Sequence, residues 1–150
     1  MKALLDTCVI YPTVMREMLL AVAATGAFTP LWSARIIEEW QRATTKLGPD
    51  GVAQAGAEAV LLAAAVAGSA DVIVTLNAKD FPRGVLAEEG VSRADPDAFL
   101  LGLHAAEPDD VAAAADRVLA RATEISGTTW EMRKLLKKAR LPRLGRALTR

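Results

Sequence analysis

Two short apolar runs in the chain are each followed at once by polar residues. Residues 2–5 and residues 72–75 are rich in leucine and β-branched side chains, and both end at polar positions. Strands that are buried on both faces of a parallel sheet have this uniformly apolar character. We therefore expect both runs to be central strands of a parallel sheet.

Apolar residues at helical spacing form two stripes between these strands. The steps of three and four residues place each stripe on one face of an α-helix. The first stripe consists of Val14, Met15, Met18, Leu19 and Val22, and the second of Ile36, Ile37, Trp40, Ala43 and Leu47. Strands that are separated by amphipathic helices predict an α/β fold.

The chain beyond the second strand begins with a further candidate strand, "GVSR" at residues 90–93. Asp95 and Pro96 follow it, and this pair is typical of an N-cap and the first position of a helix. We therefore predict a helix that is capped by Asp95.

Two more helices are predicted after this one. The Ala-rich stretch that follows Pro108 has a helical pattern up to Gly127. Thr128 and Glu131 then stand at the spacing of a capping box, so we expect the last helix to restart there. That last stretch carries the basic charge, since residues 131–150 hold eight of the 18 Lys and Arg side chains of the chain.

Composition favours one domain with an uneven charge distribution. With 150 residues, of which 52% are hydrophobic, the chain can bury a core without disulfide or metal support. Residues 131–150 hold eight basic side chains and one acidic one, a net charge of +7. Because the whole chain is formally neutral, residues 1–130 carry −7.

Several function classes are disfavoured by what the sequence lacks. It contains no GxGxxG, GxxxxGK[ST], CxxC or paired-histidine motif, and its one histidine, His104, lies in an apolar helical pattern. The single cysteine, Cys8, has an apolar context, so we interpret it as a core residue. An Asp at position 6 interrupts any signal-peptide pattern, and no apolar run is long enough to span a membrane. We expect a cytoplasmic protein with no membrane contact.

Oxygen-bearing side chains follow both predicted strands. Asp6 comes directly after the first strand, and Asn77 and Asp80 follow the second. In parallel α/β sheets, ligand sites lie outside the carboxyl ends of the strands. The helix of the second stripe adds a candidate: Glu39 borders its apolar face, whereas Glu38 points to solvent.

Such a set of oxygens is typical of a site for a hard divalent cation. Mg²⁺ and Mn²⁺ prefer carboxylate, amide and water oxygens, and phosphodiesters are common substrates of such sites. Taken singly, each residue also has a structural interpretation. Asp6 suits an Asx turn, Asn77 and Asp80 suit an ordinary turn, and Glu39 suits a partly solvated helix position. Their joint placement favours a metal site for nucleic-acid hydrolysis.

The segments "LLDTCVIYP", "PLWSARIIEEW" and "ADVIVTLNAKDFPRG" occur in this order along the chain. Together they resemble the PIN-domain family, and most closely the VapC-type toxin ribonucleases of bacterial toxin–antitoxin pairs. The resemblance implies a three-layer α/β fold over residues 1–100, with a central parallel sheet flanked by helices. The tail "LLKKARLPRLGRAL" resembles the basic C-terminal extension of one subgroup, so residues 101–150 are expected to form a helical extension packed on or near that domain.

The resemblance also implies roles for individual residues. Asp6 and Glu39 match the first two acids of the family's Mg²⁺ or Mn²⁺ site, and Asn77 with Asp80 matches its last polar cluster. Asp6, Glu39 and Asp80 are the expected catalytic residues. Thr75 matches a hydroxyl beside that cluster. Asp71 is a weaker, second-tier candidate.

One part of the family pattern is missing. A further acid usually occurs in a "DxHVLAAA" pattern before the second strand, but here "AEAVLLAAA" places Ala57 and Ala59 where the Asp and His belong. The segment that precedes it is also shorter than in the subgroup. Glu58 is adjacent, and its side chain is turned by about 100° from the matching position, so it is a weaker candidate for the site.

Two functions follow from these observations. The first is a metal-dependent ribonuclease toxin that a cognate antitoxin holds in check. The second is a catalytically degenerate relative that binds RNA or the antitoxin. Apolar side chains on the first two helices (Val14, Met18, Val22, Ile36 and Trp40) suggest a homodimer with an isologous interface.

The basic tail has two interpretations. Its helix is either an ordinary amphipathic surface helix, with Met132, Leu135, Leu136 and Ala139 packed on the body, or a surface that contacts RNA phosphates. The expected nucleic-acid-binding residues are Lys134, Lys137, Lys138, Arg140 and Arg143. An acidic segment of the antitoxin is the competing partner for this tail.

Overall fold

The computed structural model describes residues 1–32 and 68–150, and the helix predicted around the second apolar stripe lies outside them. In chain order, the described elements are β1 (Lys2–Leu5), α1 (Thr7–Ile10), α2 (Thr13–Ala24), β2 (Thr29–Leu31), β3 (Val72–Val74), a 3₁₀ turn (Ala78–Asp80), α3 (Arg83–Glu88), β4 (Ser92–Ala94), α4 (Pro96–Ala106), α5 (Pro108–Ser126), α6 (Met132–Lys138) and α7 (Pro142–Leu148).

The chain divides into two compact units. The first unit consists of Met1–Tyr11 and Pro30–Ala94, and the second of Pro12–Thr29 and Asp95–Arg150. This division differs from the expected one at residues 100 and 101, because α2 groups with the C-terminal helices rather than with the strands. An amphipathic helix belongs to the same unit as the element that covers its apolar face. Sequence periodicity identifies the apolar face but not the element that covers it.

The strands form a four-stranded parallel sheet in the order β2-β1-β3-β4. Leu4 is paired with Ile73 across β1 and β3, and Ile73 is paired with Arg93 across β3 and β4. The prediction of central, doubly buried strands is confirmed for β1 and β3, since Ala3, Leu4, Leu5 and all three residues of β3 are buried. The short β2 was not predicted, because it contains a proline and spans three residues.

The loop that follows β3 is tied to the sheet. The guanidinium Nη1 of Arg93, in β4, donates hydrogen bonds to the carbonyl oxygens of Ala78 and Phe81. Phe81 is buried, as is Leu86 on the following helix α3. These contacts fix the course of the polar segment that leaves the carboxyl end of β3.

The second unit is built around the apolar face of α2. Met15, Met18, Leu19 and Val22 are all buried, so the first predicted stripe is confirmed, and α2 contacts α5. Val14 is partly exposed. Met18 and Val22 are covered within the chain and so no longer support the argument for a homodimer, which stays a prediction.

Helix ends in the second unit follow the predicted signals in two places. Asp95 caps α4, since its Oδ1 accepts a hydrogen bond from the backbone N of Ala98 at 2.9 Å. Gly127 ends α5 with a left-handed φ of 68°. The predicted capping box is wrong: α6 begins at Met132, and its N-cap Glu131 makes no side-chain cap bond.

The basic tail forms two short helices rather than one. The pair α6 and α7 buries Leu135, Leu136, Leu141 and Leu144, while Met132 and Ala139 are partly buried. Gly145 allows the two helices to approach closely, because a Cβ there would lie 3.2 Å from the Cβ of Leu136. Pro142 is the first residue of α7. A proline is typical of this position, but the apolar pattern continues past it, so the break between the two helices was not predicted. Within residues 1–32 and 68–150, no helix is long and apolar enough to cross a membrane.

Candidate metal and nucleic-acid sites

Asp6 lies at the carboxyl end of β1 and begins helix α1. Its backbone N donates to the carbonyl of Val74 at 3.1 Å, which continues the pairing of β1 with β3 by one residue. Asp6 is the N-cap residue of α1, and its carboxylate Oδ1 accepts from the backbone N of the next residue, Thr7, at 2.7 Å. An Asx turn would use the N–H two residues further on, so this bond is not that turn, and it leaves the rest of the carboxylate for other contacts.

Thr75 links the two strand ends through its hydroxyl. This side chain is fully buried, and its Oγ1 donates to Asp6 Oδ2 at 2.7 Å. The same oxygen accepts from the backbone N of Asn77 at 3.0 Å. One hydroxyl thus orients the carboxylate of the first strand and the turn after the second strand.

Cys8 belongs to this polar cluster, and its interpretation as a core residue is wrong. Its Sγ donates to Asp6 Oδ2 at 3.3 Å, accepts from the backbone N of Leu76 at 3.3 Å, and lies 3.6 Å from Thr75 Oγ1. Burial, and then the negative charge of Asp6, raises the pKa of the thiol to about 11. At neutral pH Cys8 is therefore a neutral hydrogen-bond donor to the carboxylate.

Only part of the hydrogen-bonding capacity of Asp6 is used by these contacts. An ionised carboxylate has about four acceptor positions, and the described contacts to Thr7, Cys8 and Thr75 occupy three of them. All three donors are uncharged, and Asp6 forms no ion pair with the rest of the described chain. The described contacts therefore leave one acceptor position on Oδ1.

The turn after β3 carries the other two predicted oxygen donors. Asn77 precedes the 3₁₀ turn, and Asp80 is its last residue. The backbone N of Asp80 donates to the Asn77 carbonyl at 3.0 Å. Both side chains are partly exposed. Because β1 and β3 are parallel neighbours, Asp6 and this turn lie at the same edge of the sheet.

Of the other predicted residues of the metal site, the structure describes only Asp71. Asp71 lies at the amino end of β3, where its Oδ2 accepts from the backbone N of Lys2 at 2.7 Å. It therefore fastens the opposite end of the sheet, and the structure does not bring it to Asp6. Glu39 and Glu58 lie outside the described residues.

The predicted nucleic-acid-binding residues lie in the second unit and differ in their contacts. Lys134 pairs with Glu131 at 3.2 Å, and Arg143 pairs with Asp95 and Asp97. The charge of Asp95 and the hydrogen bond to Asp97 raise the pKa of Arg143. Two of the predicted cations are thus already compensated by acids.

The other three predicted cations are exposed. Lys138 places its Nζ 5.2 Å from the ring centre of Trp130, within the range of a cation–π contact. Lys137 and Arg140 are exposed, and neither has an ion pair within residues 1–32 and 68–150.

A hard divalent cation fits the strand-end cluster in part. The partly exposed carboxylate of Asp6 lies at the same edge of the sheet as the turn that carries Asn77 and Asp80. Thr7 Oγ1 is buried and has no hydrogen-bond partner in the described chain, and such an orphaned hydroxyl is the kind of group that an ion or water satisfies. No group of three or more His, Cys, Asp or Glu side chains that could hold a metal is found among residues 1–32 and 68–150.

Compared with family models, with curated protein sequences and with solved structures, the chain matches none. The argument for function therefore rests on the geometry of the chain itself.

Proposed function

We propose that this chain is a metal-dependent ribonuclease of the PIN-domain type, similar to the toxins of bacterial toxin–antitoxin pairs. Its substrate is RNA, its cofactor is Mg²⁺ or Mn²⁺, and its cytoplasmic partner is a cognate antitoxin. The observation that carries the proposal is the carboxylate of Asp6, which uncharged donors hold at the edge of the sheet where the Asn77–Asp80 turn also leaves it.

Some residues would bind the metal, and another would orient its ligand. Asp6, Asn77 and Asp80, with Glu39 as a further acid, would bind it, and Thr75 would keep Asp6 in one orientation. A bound Mg²⁺ or Mn²⁺ supplies a water of lowered pKa and neutralises negative charge on the phosphodiester. Because Thr75 is fully buried and donates to Asp6, the carboxylate needs little reorganisation when a cation binds.

Cys8 would support the site as a neutral hydrogen-bond donor. Its Sγ donates to Asp6 Oδ2 at 3.3 Å and accepts from the backbone N of Leu76 at 3.3 Å. Burial, and then the negative charge of Asp6, raises the pKa of the thiol to about 11 in the metal-free chain. Mg²⁺ and Mn²⁺ select oxygen ligands, so the carboxylate rather than the sulfur would bind them.

A second candidate function is a degenerate relative that binds RNA or an antitoxin without cleaving RNA. The observation that favours it is the pair Ala57 and Ala59, which stand where the family pattern has an acid and a histidine. Mg²⁺ often retains several waters and tolerates few protein ligands, so loss of one acid does not by itself decide between the candidates.

The test measures Mn²⁺ binding by titration calorimetry and cleavage of a structured RNA, with wild type and Asp6→Asn. We expect Mn²⁺ affinity to fall at least tenfold, about 1.4 kcal/mol, and cleavage to fall to the level of the protein-free reaction. Glu88→Gln is the matched control, because it removes an exposed acid on α3 of the same unit.

The outcomes separate the two candidates. Cleavage that survives in folded Asp6→Asn would remove Asp6 from the site and contradict the proposal. A wild type that binds Mn²⁺ through Asp6 but cleaves no RNA would support the degenerate relative instead.

A homodimer remains part of the proposal on the strength of the family resemblance. Sedimentation equilibrium at micromolar concentration should give twice the chain mass of 15.9 kDa. A particle with the mass of one chain would contradict it.

A further inference from the structure

Arg140 has a backbone conformation that an arginine rarely adopts. Its φ is 64°, in the left-handed region. The backbone N of Arg140 donates to the Lys137 carbonyl at 3.2 Å, and the N of Leu141 donates to the Leu136 carbonyl at 2.8 Å. These two bonds define a Schellman motif, and the position that Arg140 occupies in it is normally taken by glycine.

The motif itself is complete without the arginine side chain. Leu136 and Leu141, the pair whose apolar contact usually accompanies this motif, are both fully buried. The side chain of Arg140 is exposed, and it makes no ion pair or hydrogen bond within residues 1–32 and 68–150. No contact of the described chain therefore explains an arginine at this position. Residues with unfavourable backbone geometry cluster at functional sites.

Arg140 follows helix α6, whose exposed face is basic. Arg133 and Lys137 are four residues apart on α6, so their side chains lie on the same face. Both are exposed, and neither forms an ion pair in the described part of the chain. We name Arg133, Lys137 and Arg140 the basic ridge.

The acids near the basic ridge are already engaged elsewhere. Glu131, the single acid of residues 131–150, pairs with Lys134, and Asp95 and Asp97 pair with Arg143. This assignment revises the set of five expected nucleic-acid-binding residues: Lys134 and Arg143 are compensated, whereas Arg133, a basic residue of the tail outside that set, is available.

We propose that the basic ridge binds the phosphate backbone of a nucleic acid, independently of any metal at the strand ends. Phosphate contacts need exposed cations and no apolar centre. Protein interfaces, by contrast, have an apolar core with aromatic residues. None of the large, exposed hydrophobic side chains of the described chain lies within residues 131–150. The surface therefore fits a polyanion better than a folded partner.

Trp130, close to the basic ridge along the chain, adds an aromatic ring. Its Nε1 donates to Ser126 Oγ at 3.2 Å, Lys138 lies over its ring, and the side chain is partly exposed. An anchored aromatic ring beside lysines is a common element of single-strand binding. Single-stranded RNA is accordingly the probe of choice.

The test uses the full chain, an oligouridine of about 12 nucleotides and EDTA, with fluorescence anisotropy over a range of salt concentrations. EDTA removes divalent cations, so failure of the proposed ribonuclease and failure of this inference are distinguishable. Arg140→Gly should weaken binding roughly fivefold and lower the log–log salt slope by about 0.7. The same change should raise the urea midpoint of unfolding, because glycine suits a left-handed φ.

These two effects have opposite signs, so poor folding cannot imitate the expected result. The triple variant Arg133→Gln, Lys137→Gln, Arg140→Gly should lower the slope by about 2. Arg117→Gln is the matched control, since it removes an exposed cation from α5 of the same unit, and it should change the slope little.

Three results would overturn the inference. The first is wild-type protein that does not bind the RNA in EDTA, and the second is an Arg140→Gly variant that is more stable but binds with an unchanged slope. The third is binding of polyglutamate, but not of RNA, that the triple variant abolishes, which would assign the basic ridge to an acidic protein segment.

Discussion

Asp6 and Asp97 are two aspartates in different units that look alike when hydrogen bonds are counted. Each stands at the beginning of a helix and accepts three bonds. Asp97 takes them from the backbone N and Nε of Arg143 and from the backbone N of Leu144, at 2.9, 3.3 and 2.9 Å. Asp6 takes them from Thr7, Thr75 and Cys8.

The two carboxylates differ in the charge of their partners and in their exposure. A guanidinium compensates Asp97, whose exposed fraction is 5%. Only uncharged groups hold Asp6, which remains partly exposed. A carboxylate whose charge is compensated fastens two helices together, whereas one that is oriented but uncompensated can attract a cation. The charge balance therefore separates a structural aspartate from a candidate ligand, and the number of hydrogen bonds does not.

The largest effect is expected from Asp97→Ala. The change leaves two backbone N–H groups at the start of α7 and the Arg143 side chain without their buried acceptor. Removing one partner of such a network should lower the free energy of unfolding by about 3 kcal/mol. Urea denaturation measures this loss, and Mn²⁺ affinity of the folded fraction should be unchanged.

Asp109→Ala is the control for that experiment, because it removes an exposed acid from the first turn of α5. It should change stability by no more than about 0.5 kcal/mol. Equal losses for the two variants would contradict the structural role of Asp97.

A second effect concerns the thiol that supports Asp6. The pKa of Cys8 is raised from 9.0 to about 11, by burial and then by Asp6. The native state therefore holds this proton more tightly than the unfolded chain does. The contribution of Cys8 to stability should be complete below pH 9 and should be lost as the pH rises through about 11.

Alkylation by iodoacetamide in EDTA provides the measurement. At pH 8 the thiolate population should be about 100-fold lower than in urea-unfolded protein, since the pKa differs by about two units. Asp6→Asn removes one of the two causes and should speed the reaction in the folded protein. A native Cys8 that reacts as fast as the unfolded chain would place the thiol outside the cluster around Asp6.

The parts of the fold that follow from local pattern were predictable. β1, β3 and β4, the Asp95 cap and the end of α5 at Gly127 each have a signal within a few residues of sequence. The same holds for the strand-end placement of Asp6, since an apolar run that stops at a carboxylate positions that carboxylate directly. These features depend on short-range steric and hydrogen-bonding preferences.

The features that were missed depend on contacts that are distant along the chain. Asp97 meets Arg143 across 46 residues, and Cys8 meets Leu76 across 68. An acidic residue after a helix-starting proline and a cysteine in an apolar context are ordinary local patterns, so nothing nearby indicates their partners. The break between α6 and α7 was missed for a related reason, because a left-handed arginine has no sequence signature.

The smallest effect is expected from a change at Thr75. It distinguishes a residue that orients Asp6 from a residue that binds the metal itself. Thr75→Val keeps the shape of the side chain but removes the hydroxyl that donates to Asp6 at 2.7 Å and accepts from the N of Asn77 at 3.0 Å. Stability should fall by about 1–2 kcal/mol, because the N–H of Asn77 and one oxygen of Asp6 lose a buried partner. Mn²⁺ affinity should fall by about tenfold, as for loss of a group that orients a ligand. Thr75→Ser retains the hydroxyl and should preserve the affinity. If Val and Ser weaken Mn²⁺ binding equally, the methyl packing of Thr75 rather than its hydroxyl matters, and Asp6 is oriented by its contacts with Thr7 and Cys8.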